Sequence, residues 1–382
     1  MKKSIAKLYT VLFVAAICLP WLVWLIFGNK SAESAENREL AELPVISETG
    51  YEEFPSVFDD YVNDNMPFRD ELIRKNSQVN LYGLKSATDD RVVLGKDGWM
   101  FLNDPGDGNT VGTYMGLDIY SEEQLAHIAD NMRKTDEYLK ARGKEFVILI
   151  LPNKERVYSD KMPDYFGQPG ELYKVKQVVD YLRTHTDVRV VYPLQEMLAA
   201  KETVKSLDVI QSEEHKNDEV TIYHKYDTHW NGIGAYVGAK ALLDELGIVV
   251  PAIDAPSTKI TYVDNGSADL AGMINLSKDF VNKEDDYHVS GYDSHDCECL
   301  KDDFTTEIIY KANDADERKL FIARDSFTSA MAPYVGSQFN ESYMYYDRNL
   351  TQDIIEKENP DILVYEVVER YVYMLENFCI SD

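Results

Sequence analysis

Two short motifs contain an acid, a base and a nucleophile, and these residue types point to acyl transfer. The first motif is Tyr226–Trp230, with the sequence YDTHW, and the second is Arg324–Phe327, with the sequence RDSF. In an extended segment, residues two apart point to the same side, so Asp227 and His229 can converge. The carboxylate would fix the imidazole tautomer that removes the proton of a serine hydroxyl such as Ser326. The motifs therefore predict a catalytic triad.

Each of these residues also has a structural interpretation. Ser326 follows an aspartate at the end of a predicted strand, where a serine commonly caps a helix. Asp227 and His229 could form a buried hydrogen-bonded pair, and Trp230 could belong to the core rather than to a sugar-binding surface. A metal-dependent hydrolase that uses Asp227, His229 and His224 is a further alternative.

The segments around both motifs alternate between helical and apolar-strand patterns, which predicts a parallel sheet covered by helices. The predicted strands are 146–151, 188–192, 319–323 and 362–368, and the predicted helices are 121–143, 175–182, 232–246 and 327–334. Ser326 thus lies at the strand carboxyl ends, where open α/β sheets bind ligands. Its backbone amide, near a helix N-terminus, could stabilise an oxyanion, and Asn231 and Asn153 are candidates for the second donor.

Three other segments surround this pattern. Residues 54–83 carry apolar residues at helical spacing, and Pro67 divides them into two predicted helices. Residues 91–102 predict two short strands joined by a turn at 96–98, because Asp-Gly readily takes positive φ. Residues 251–306, rich in Asp, Gly and Ser, predict a loop-rich insertion between the two halves of the site.

An uncharged apolar run near the N-terminus predicts a membrane anchor. It extends from about Leu8 to Phe27, which matches the roughly 20 residues that a helix needs to cross a bilayer. Pro20 within the run is tolerated in lipid. Lysines at positions 2, 3 and 7 precede the run, which predicts a cytoplasmic N-terminus and an exported remainder.

The same region sets the predicted domain organisation. Glu33 makes residues 31–35 a poor signal-peptidase site, so an uncleaved anchor is favoured over a signal peptide. We predict a cytoplasmic tip and transmembrane anchor at 1–30, a spacer at 31–53 and a catalytic domain at 54–382. The expected location is the cell membrane, with a single span and an extracytoplasmic catalytic part.

Charge and cysteine content exclude several classes of partner and cofactor. The net charge of −28 argues against nucleic acid and acidic membrane surfaces, because both are polyanions. Outside the apolar run, Cys297, Cys299 and Cys379 are an odd number and form no disulfide framework. Cys297 and Cys299 with His295 could bind zinc, but their spacing is not that of common zinc modules. We expect no metal and no cofactor; a local or strand-to-strand disulfide, or free thiols, are the alternatives.

The motifs resemble those of the bacterial DHHW protein family and of its relatives, the alginate O-acetyltransferases. The matching segments, between about Glu36 and Arg370, are 226–232 (YDTHWNG), 324–327 (RDSF), 36–40 (ENREL), 67–70 (PFRD), 95–101 (GKDGWMF) and 152–154 (PNK). Acid and base precede the serine, as in the permuted order of the alginate relatives. Thr228 stands where the family name implies histidine, and we expect it to point away from acid and base. Arg324 replaces a frequent glycine, the residue that would form a tight turn before the serine.

The resemblance implies a fold, a mechanism and partners. The implied fold is α/β and SGNH-hydrolase-like, with a mostly parallel sheet flanked by helices and an N-terminal transmembrane helix. Asp227 would orient His229, His229 would be the general base and Ser326 the nucleophile that carries the acyl group. The implied activity is acetyl transfer to a cell-surface or secreted polysaccharide, with a membrane-embedded partner delivering the acetyl group. An acetylesterase, or a catalytically silent carbohydrate-binding or assembly protein, remains an alternative on the same fold.

Several residues near the motifs are candidates for contacting substrate. The predicted substrate-binding residues are Tyr226, Trp230, Asn231, Arg370 and Lys154. Tyr223 and His224 could line the approach to the serine. Arg370 could instead pair with a neighbouring acid, and Lys154 and Arg156 could hold a negatively charged group or form surface ion pairs.

Overall fold

A computed structural model describes residues 2–27, 40–264, 266–292, 295–346 and 350–380. The chain forms two compact units, one of residues 1–88 and 272–276 and the other of residues 89–271 and 277–382. The predicted match at 36–40 and the sequence around Glu33 lie almost entirely outside the described residues. The domain boundaries predicted from the sequence remain predictions.

The first unit is helical. It contains α1 (Lys2–Phe27), α2 (Ile46–Asn65) and α3 (Arg69–Gln78), followed by a π-helical turn at Val79–Leu84. Within α1, Ile5–Trp24 is long and apolar enough to cross a membrane, as a single-pass anchor requires. Helix α2 begins earlier than the predicted start at Phe54. The predicted break at Pro67 is confirmed, because α2 ends at Asn65 and α3 begins at Arg69.

The second unit alternates strands and helices. Its strands are β1 (Val92–Leu94), β2 (Met100–Leu102), β3 (Glu145–Leu151), β4 (Arg189–Val191), β5 (Lys259–Val263), β6 (Asp286–Ser290), β7 (Cys297–Asp302), β8 (Glu307–Ala312), β9 (Asp316–Ala323), β10 (Phe339–Tyr345) and β11 (Ile362–Val368). The remaining helices are α4 (Thr110–Tyr114), α5 (Glu122–Lys140), α6 (Lys154–Val157), α7 (Lys174–His185), α8 (Leu194–Thr203), α9 (Gly232–Glu245), α10 (Asp269–Met273), α11 (Ser277–Phe280), α12 (Phe327–Gly336) and α13 (Gln352–Glu358).

A seven-stranded sheet with the order β4-β3-β11-β9-β10-β8-β7 organises this unit. Each pair of neighbouring strands from β4 to β10 is parallel. At the other edge, β8 pairs antiparallel with β10, and β7 pairs antiparallel with β8. Every residue of β11 and all but the first of β3 are buried, as expected for apolar strands covered on both faces. The predicted fold class, a mostly parallel sheet with flanking helices, is confirmed.

The predicted hairpin is also present. Strands β1 and β2 pair antiparallel, and the turn between them contains Asp97 with φ 53° and Gly98 with φ 80°. Both values lie in the left-handed region that a two-residue hairpin turn favours.

Residues 251–306 contain more regular structure than their composition suggests. Strands β5 and β6 form a separate antiparallel pair, and β7 extends the main sheet. Every residue of β7 is exposed, so it has no apolar periodicity and is defined by its pairing with β8. Between β5 and β7, this segment also supplies side chains to the candidate site.

Candidate active site

The three residues of the predicted triad meet at the carboxyl end of β9. Oγ of Ser326 lies 2.7 Å from Nε2 of His229, although 97 positions separate the two residues. Nδ1 of His229 lies 2.6 Å from Oδ1 of Asp227. Each distance is that of a direct hydrogen bond. The arrangement can pass a proton from the serine hydroxyl to an imidazole whose tautomer is fixed by a carboxylate.

Asp227 and His229 converge through a side-chain turn rather than through strand geometry. The residues before α9 form bends, with an isolated bridge between Tyr223 and Trp230. Oδ1 of Asp227 accepts the backbone N–H of His229 at 2.9 Å, which is an Asx turn. The predicted extended conformation is therefore wrong, and a local hydrogen bond produces the convergence.

The carboxylate of Asp227 is saturated with hydrogen-bond donors. Its Oδ2 accepts the hydroxyl of Ser267 at 2.5 Å and the backbone N–H of Asp269 at 2.7 Å. The residue is fully buried, and burial alone would raise its pKa. The hydrogen bonds from His229 and Ser267, with the charges of His229 and His224, outweigh burial and hold the pKa of Asp227 below its ordinary value. The carboxylate therefore stays ionised.

His229 is partly buried, and its proton affinity results from opposing effects. Burial lowers the pKa of the imidazole, whereas the hydrogen bond and charge of Asp227 and the charge of Asp269 raise it. The charge of Arg370 acts in the opposite direction to the two carboxylates. The net result is a pKa raised above its ordinary value, which suits a group that must accept a proton from serine.

A buried network of acids holds the turn that carries Ser326. Asp325 accepts the backbone N–H of Phe327 at 2.9 Å and that of Val368, at the end of β11, at 2.8 Å. Its own N–H donates to Glu366 at 2.8 Å. Burial and the charge of Asp325 raise the pKa of Glu366 well above its ordinary value. These contacts fix the serine relative to the neighbouring strand.

Arg324 does not prevent the turn that a glycine was expected to form. Its guanidinium donates to the carbonyl of Phe304 and to the hydroxyl of Ser329, both at 3.0 Å. Ser326 has φ −67° and ψ −22°, directly before α12. The turn needs no left-handed residue, so the departure from glycine is accommodated.

The backbone N–H of Ser326 is a suitable oxyanion donor. It precedes α12, and no described residue accepts a hydrogen bond from it. Of the two candidates for the second donor, Asn231 caps α9, since its side chain accepts from Ile233 and Gly234 and donates to Thr221. Asn153 lies beside the end of β11, where its Oδ1 accepts the N–H of Arg370 at 3.3 Å.

Three of the residues predicted to bind substrate are instead part of the buried framework. Trp230 is 1% exposed, and its indole N–H donates to the carbonyl of Phe327 at 3.0 Å, joining the two motifs. Lys154 is 2% exposed, and its ammonium donates to the carbonyls of Lys225 and Asp227 at 3.0 and 2.8 Å. Burial lowers the pKa of Lys154 to about 8. Asn231, which caps α9, is also buried. The side chains of Trp230, Lys154 and Asn231 are therefore too buried to contact a sugar.

The residues predicted to line the approach are also enclosed. The hydroxyl of Tyr223 donates to the carbonyl of Pro152 at 2.6 Å. His224 is buried between Glu284 and Asp286, with nitrogen–oxygen distances of 3.7 and 3.9 Å.

Arg370 and Tyr226 are the predicted substrate residues that border a cavity or the protein surface. Arg370 is 8% exposed; its Nε lies 3.6 Å from Asp107 and has no hydrogen-bond partner among the described residues. It lines a cavity of about 200 Å³ together with Asn109, Asp118, Lys174 and Tyr373. Tyr226 is partly exposed and packs on Phe280, with ring centroids 4.5 Å apart.

Arg156, which the sequence left between an anion site and a surface ion pair, forms a buried ion pair instead. Its Nε lies 2.9 Å from Oε1 of Glu369. Oε2 of the same carboxylate accepts the N–H of Asn153 at 3.0 Å and the hydroxyl of Tyr192 at 3.1 Å. This network links the ends of β3 and β11 beneath the cavity.

Thr228 is not directed away from the acid and base, contrary to expectation. Its hydroxyl donates to Asp269 at 2.5 Å and lies 3.3 Å from Nδ1 of His229. The bent backbone of this segment removes the alternation on which the expectation rested. Asp269 and Ser267, like Glu366, were not singled out from the sequence, since isolated acids and serines in a polar segment carry no pattern.

The potential metal ligands differ from the sequence-based alternatives. Within the described part of the chain, Asp227, His229 and Asp269 form a group whose ligand atoms lie within 4.8 Å of one another. His224 is not a member of this group. The oxygens of Asp227 already accept N–H and O–H donors, which is the arrangement of a hydrogen-bonded carboxylate rather than of a cation ligand. Cys297 and Cys299 are exposed free thiols on β7.

Comparison with known proteins identifies similar sequences over about half of the chain. Residues 92–287 match the family model described as SGNH hydrolase-like domain, acetyltransferase AlgX. This range includes Asp227 and His229 and ends before Ser326. A probable alginate O-acetylase AlgJ of Pseudomonas putida is 26% identical over 196 residues, which are 50% of this chain and 44% of that protein. Its counterpart in Pseudomonas aeruginosa is 27% identical over 159 residues, 41% of this chain and 33% of that protein.

The chain therefore spans less than half the length of these curated relatives. Similar solved structures include a DHHW family protein from Eubacterium siraeum, with a TM-score of 0.47 and 17% identity over 76% of this chain and 99% of that one. The O-acetyltransferase domain of Pseudomonas putida AlgJ has a TM-score of 0.44 and 19% identity over 75% of this chain and 93% of that one.

Proposed function

Because the chain belongs to the family of SGNH hydrolase-like acetyltransferases described by the AlgX model, as its motifs predicted, we propose that it is an O-acetyltransferase with an acyl-serine mechanism. It acts outside the cytoplasm on a hydroxyl group of a cell-surface or secreted polysaccharide. The observation that carries the proposal is the position of His229, which lies 2.7 Å from Oγ of Ser326 and 2.6 Å from Oδ1 of Asp227.

In the first step, Ser326 takes the acetyl group from a donor. Nε2 of His229 accepts the hydroxyl proton as Oγ forms a bond to the acetyl carbonyl carbon. The carbonyl oxygen becomes negatively charged and faces the backbone N–H of Ser326. Collapse of this intermediate breaks the bond to the leaving group, which takes the proton from His229 and departs.

In the second step, a sugar hydroxyl replaces the departed group. His229 removes its proton while its oxygen attacks the acetyl-serine carbonyl. Breaking the Oγ–carbonyl bond returns the proton to Ser326 and releases the acetylated sugar. Asp227 stabilises the imidazolium in both steps, and Arg370 and Tyr226 are the side chains that we assign to substrate binding.

The N-terminal helix gives the proposed location and partners. Ile5–Trp24 in α1 would anchor the chain in the cell membrane with the catalytic part outside. An acetyl donor made in the cytoplasm must then cross the bilayer, so we assign donor delivery to a membrane-embedded partner. The polymer is the acceptor.

A covalent-intermediate experiment tests the activity. The full-length protein in detergent is incubated with a chromogenic acetyl ester, with and without an oligosaccharide acceptor. We expect ester cleavage, an acetylated protein in the intact mass and acetyl transfer to the sugar. Ser326→Ala should lose all three, by about 10³-fold or more in rate, whereas Ser206→Ala, at an exposed serine, should lose none.

The alternatives give different results in the same experiment. Acetate release without an acetylated sugar would identify an acetylesterase. Inhibition by chelators would indicate metal-dependent hydrolysis, and turnover that persists in Ser326→Ala would overturn the proposal. Sugar binding by an inactive wild-type protein would identify a carbohydrate-binding or assembly protein.

A further inference from the structure

A second carboxylate, that of Asp269, lies beside the Asp227–His229 pair. Its Oδ2 lies 3.6 Å from Nδ1 of His229. Its Oδ1 accepts the backbone N–H of Thr228 at 2.7 Å, and Oδ2 accepts the hydroxyl of the same residue at 2.5 Å. Its own backbone N–H donates to Oδ2 of Asp227 at 2.7 Å. Asp269 therefore contacts all three residues of the acid–base tripeptide.

These contacts act on the base in two ways. The N–H of Asp269 and the hydroxyl of Ser267 hold one oxygen of Asp227, which leaves the other directed at Nδ1 of His229. The carboxylate of Asp269 also places a second negative charge near the imidazole. Opposite charge at this distance favours the protonated ring that forms as Ser326 attacks.

We propose that Asp269 is a second acidic positioning residue of this site, which holds Thr228 against His229 and stabilises the imidazolium during acyl transfer. Its effect on the reaction rate rests on the proposed function. Its effect on the protonation of His229 does not, because the contacts exist in the resting protein.

Charged groups on several elements face these two residues. Asp227 and Asp269 raise the pKa of His229, and Arg370 and burial lower it. The side chain of Asp269 is 40% exposed. Its pKa is raised, because partial burial and the charge of Asp227 outweigh the charge of His229 and the hydrogen bonds with Thr228, which lower it. Lys154 adds a positive charge on the buried side. Removing the charge of Asp269 should therefore lower the pKa of His229.

The test is Asp269→Asn in the full-length protein, with two independent readouts. Asparagine keeps the size and can still accept the Thr228 N–H, so mainly the charge is lost. In the first readout, the acid limb of kcat/KM for a chromogenic acetyl ester should move to lower pH, because His229 stays neutral, and active as a base, further into acid. We expect kcat to fall about tenfold with KM nearly unchanged. In the second readout, NMR titration of the His229 ring should give a lower pKa than in the wild type. The ring signals are assigned by comparison with His229→Gln.

Matched variants separate this effect from a structural one. Asp264→Asn removes an exposed carboxylate from the same segment and should change neither readout. Asp269→Glu keeps the charge and should keep the acid limb near that of the wild type. An unchanged titration of His229 in Asp269→Asn would overturn the proposal, whether or not the protein turns over ester. If neither the wild type nor Asp269→Asn turns over ester but the pKa of His229 is lower in the variant, the proposed function fails and the effect of Asp269 on His229 stands.

Should Asp269→Asn fail to fold, Thr228→Val provides the test. This variant removes the hydroxyl that holds Oδ2 of Asp269 and leaves the charge in place. It should lower kcat, because the imidazole of His229 is less firmly oriented, while the acid limb of the kcat/KM profile stays at the same pH. An unchanged kcat would count against the positioning role.

Discussion

Asp227 acts as a fixed acceptor, and this follows from the number of donors around it. Its two oxygens accept two N–H groups of His229, the hydroxyl of Ser267 and the N–H of Asp269. No proton is required on the carboxylate, and each donor favours its charged form. The same four contacts restrain the rotation of the side chain. Orientation and charge thus have one structural origin.

Asp227→Asn should therefore lower kcat strongly and the free energy of unfolding only moderately. An amide can still accept from one N–H of His229, but its NH₂ then faces other donors, so the imidazole tautomer is no longer fixed. We expect kcat to fall by about 10⁴-fold and the free energy of unfolding by about 1–3 kcal/mol. Initial rates and urea denaturation measure the two effects. A folded variant with kcat within tenfold of the wild type would show that Asp227 is only a structural residue.

The convergence of Asp227, His229 and Ser326 could be predicted from sequence, whereas the contacts of their neighbours could not. Asp, His and Ser have few alternative roles when they occur with the flanking residues of a known motif. Trp230 and Asn231 adjoin the acid–base motif in sequence, and Lys154 belongs to another matched segment, but all three are buried. Proximity in sequence does not determine the direction of a side chain when the backbone bends, and Thr228 was misassigned for the same reason.

At the scale of elements, the segment between β5 and β7 holds the acid–base motif from the outside. Glu284 accepts the N–H groups of Lys225 and Tyr226 at 2.9 and 3.4 Å. Asp286, the first residue of β6, accepts the N–H of Gly232, the first residue of α9, at 2.9 Å. The two carboxylates thus fix both ends of the motif, and buried His224 lies between them.

This arrangement predicts that stability depends on pH through His224. Burial lowers the pKa of His224, but the negative charges of Glu284 and Asp286, at 3.7 and 3.9 Å, raise it to about 9. Because the folded-state pKa exceeds the unfolded value, the stabilisation is fully present below about pH 6.5 and is lost as pH rises through about 9. The pKa difference corresponds to an upper limit on the order of 3 kcal/mol.

Thermal unfolding between pH 6 and 10 measures this dependence. The melting temperature of the wild type should fall across that range, and His224→Gln should be less stable at pH 6 and show a flatter profile. His185→Gln, at an exposed histidine with a packed tyrosine neighbour, is the control. Parallel profiles for the wild type and His224→Gln would contradict the assignment.

The predictability of each strand depended on its environment. Strands β3, β9 and β11 could be predicted because a strand buried on both faces is a continuous apolar run. Strand β7 is exposed throughout, and β8 and β10 mix buried and exposed residues without strict alternation. Their conformation depends on pairing partners far away in sequence, which a local pattern does not contain. Helix α8 was missed for a related reason: only three of its residues are buried.

At the scale of the whole molecule, the chain combines an apolar N-terminal helix with a strongly acidic remainder. The net charge of −28 would oppose adsorption to an anionic lipid surface or to nucleic acid, so the helix is the feature that would keep the catalytic unit at the membrane. The proposed acetylation of a polymer outside the bilayer then requires the orientation that the N-terminal lysines favour.

Exposed thiols on β7 provide a test of this orientation. Cys297 and Cys299 are exposed on the catalytic unit, whereas Cys18 lies in the predicted span. After reduction, a membrane-impermeant maleimide should label the protein in right-side-out membrane vesicles and leave it unlabelled in sealed inside-out vesicles, because a charged reagent does not cross the bilayer. The double variant Cys297→Ser with Cys299→Ser should lose most of this labelling, and detergent should restore labelling of the wild type in inside-out vesicles. Labelling confined to inside-out vesicles would place the serine, and with it acetyl transfer, on the cytoplasmic side.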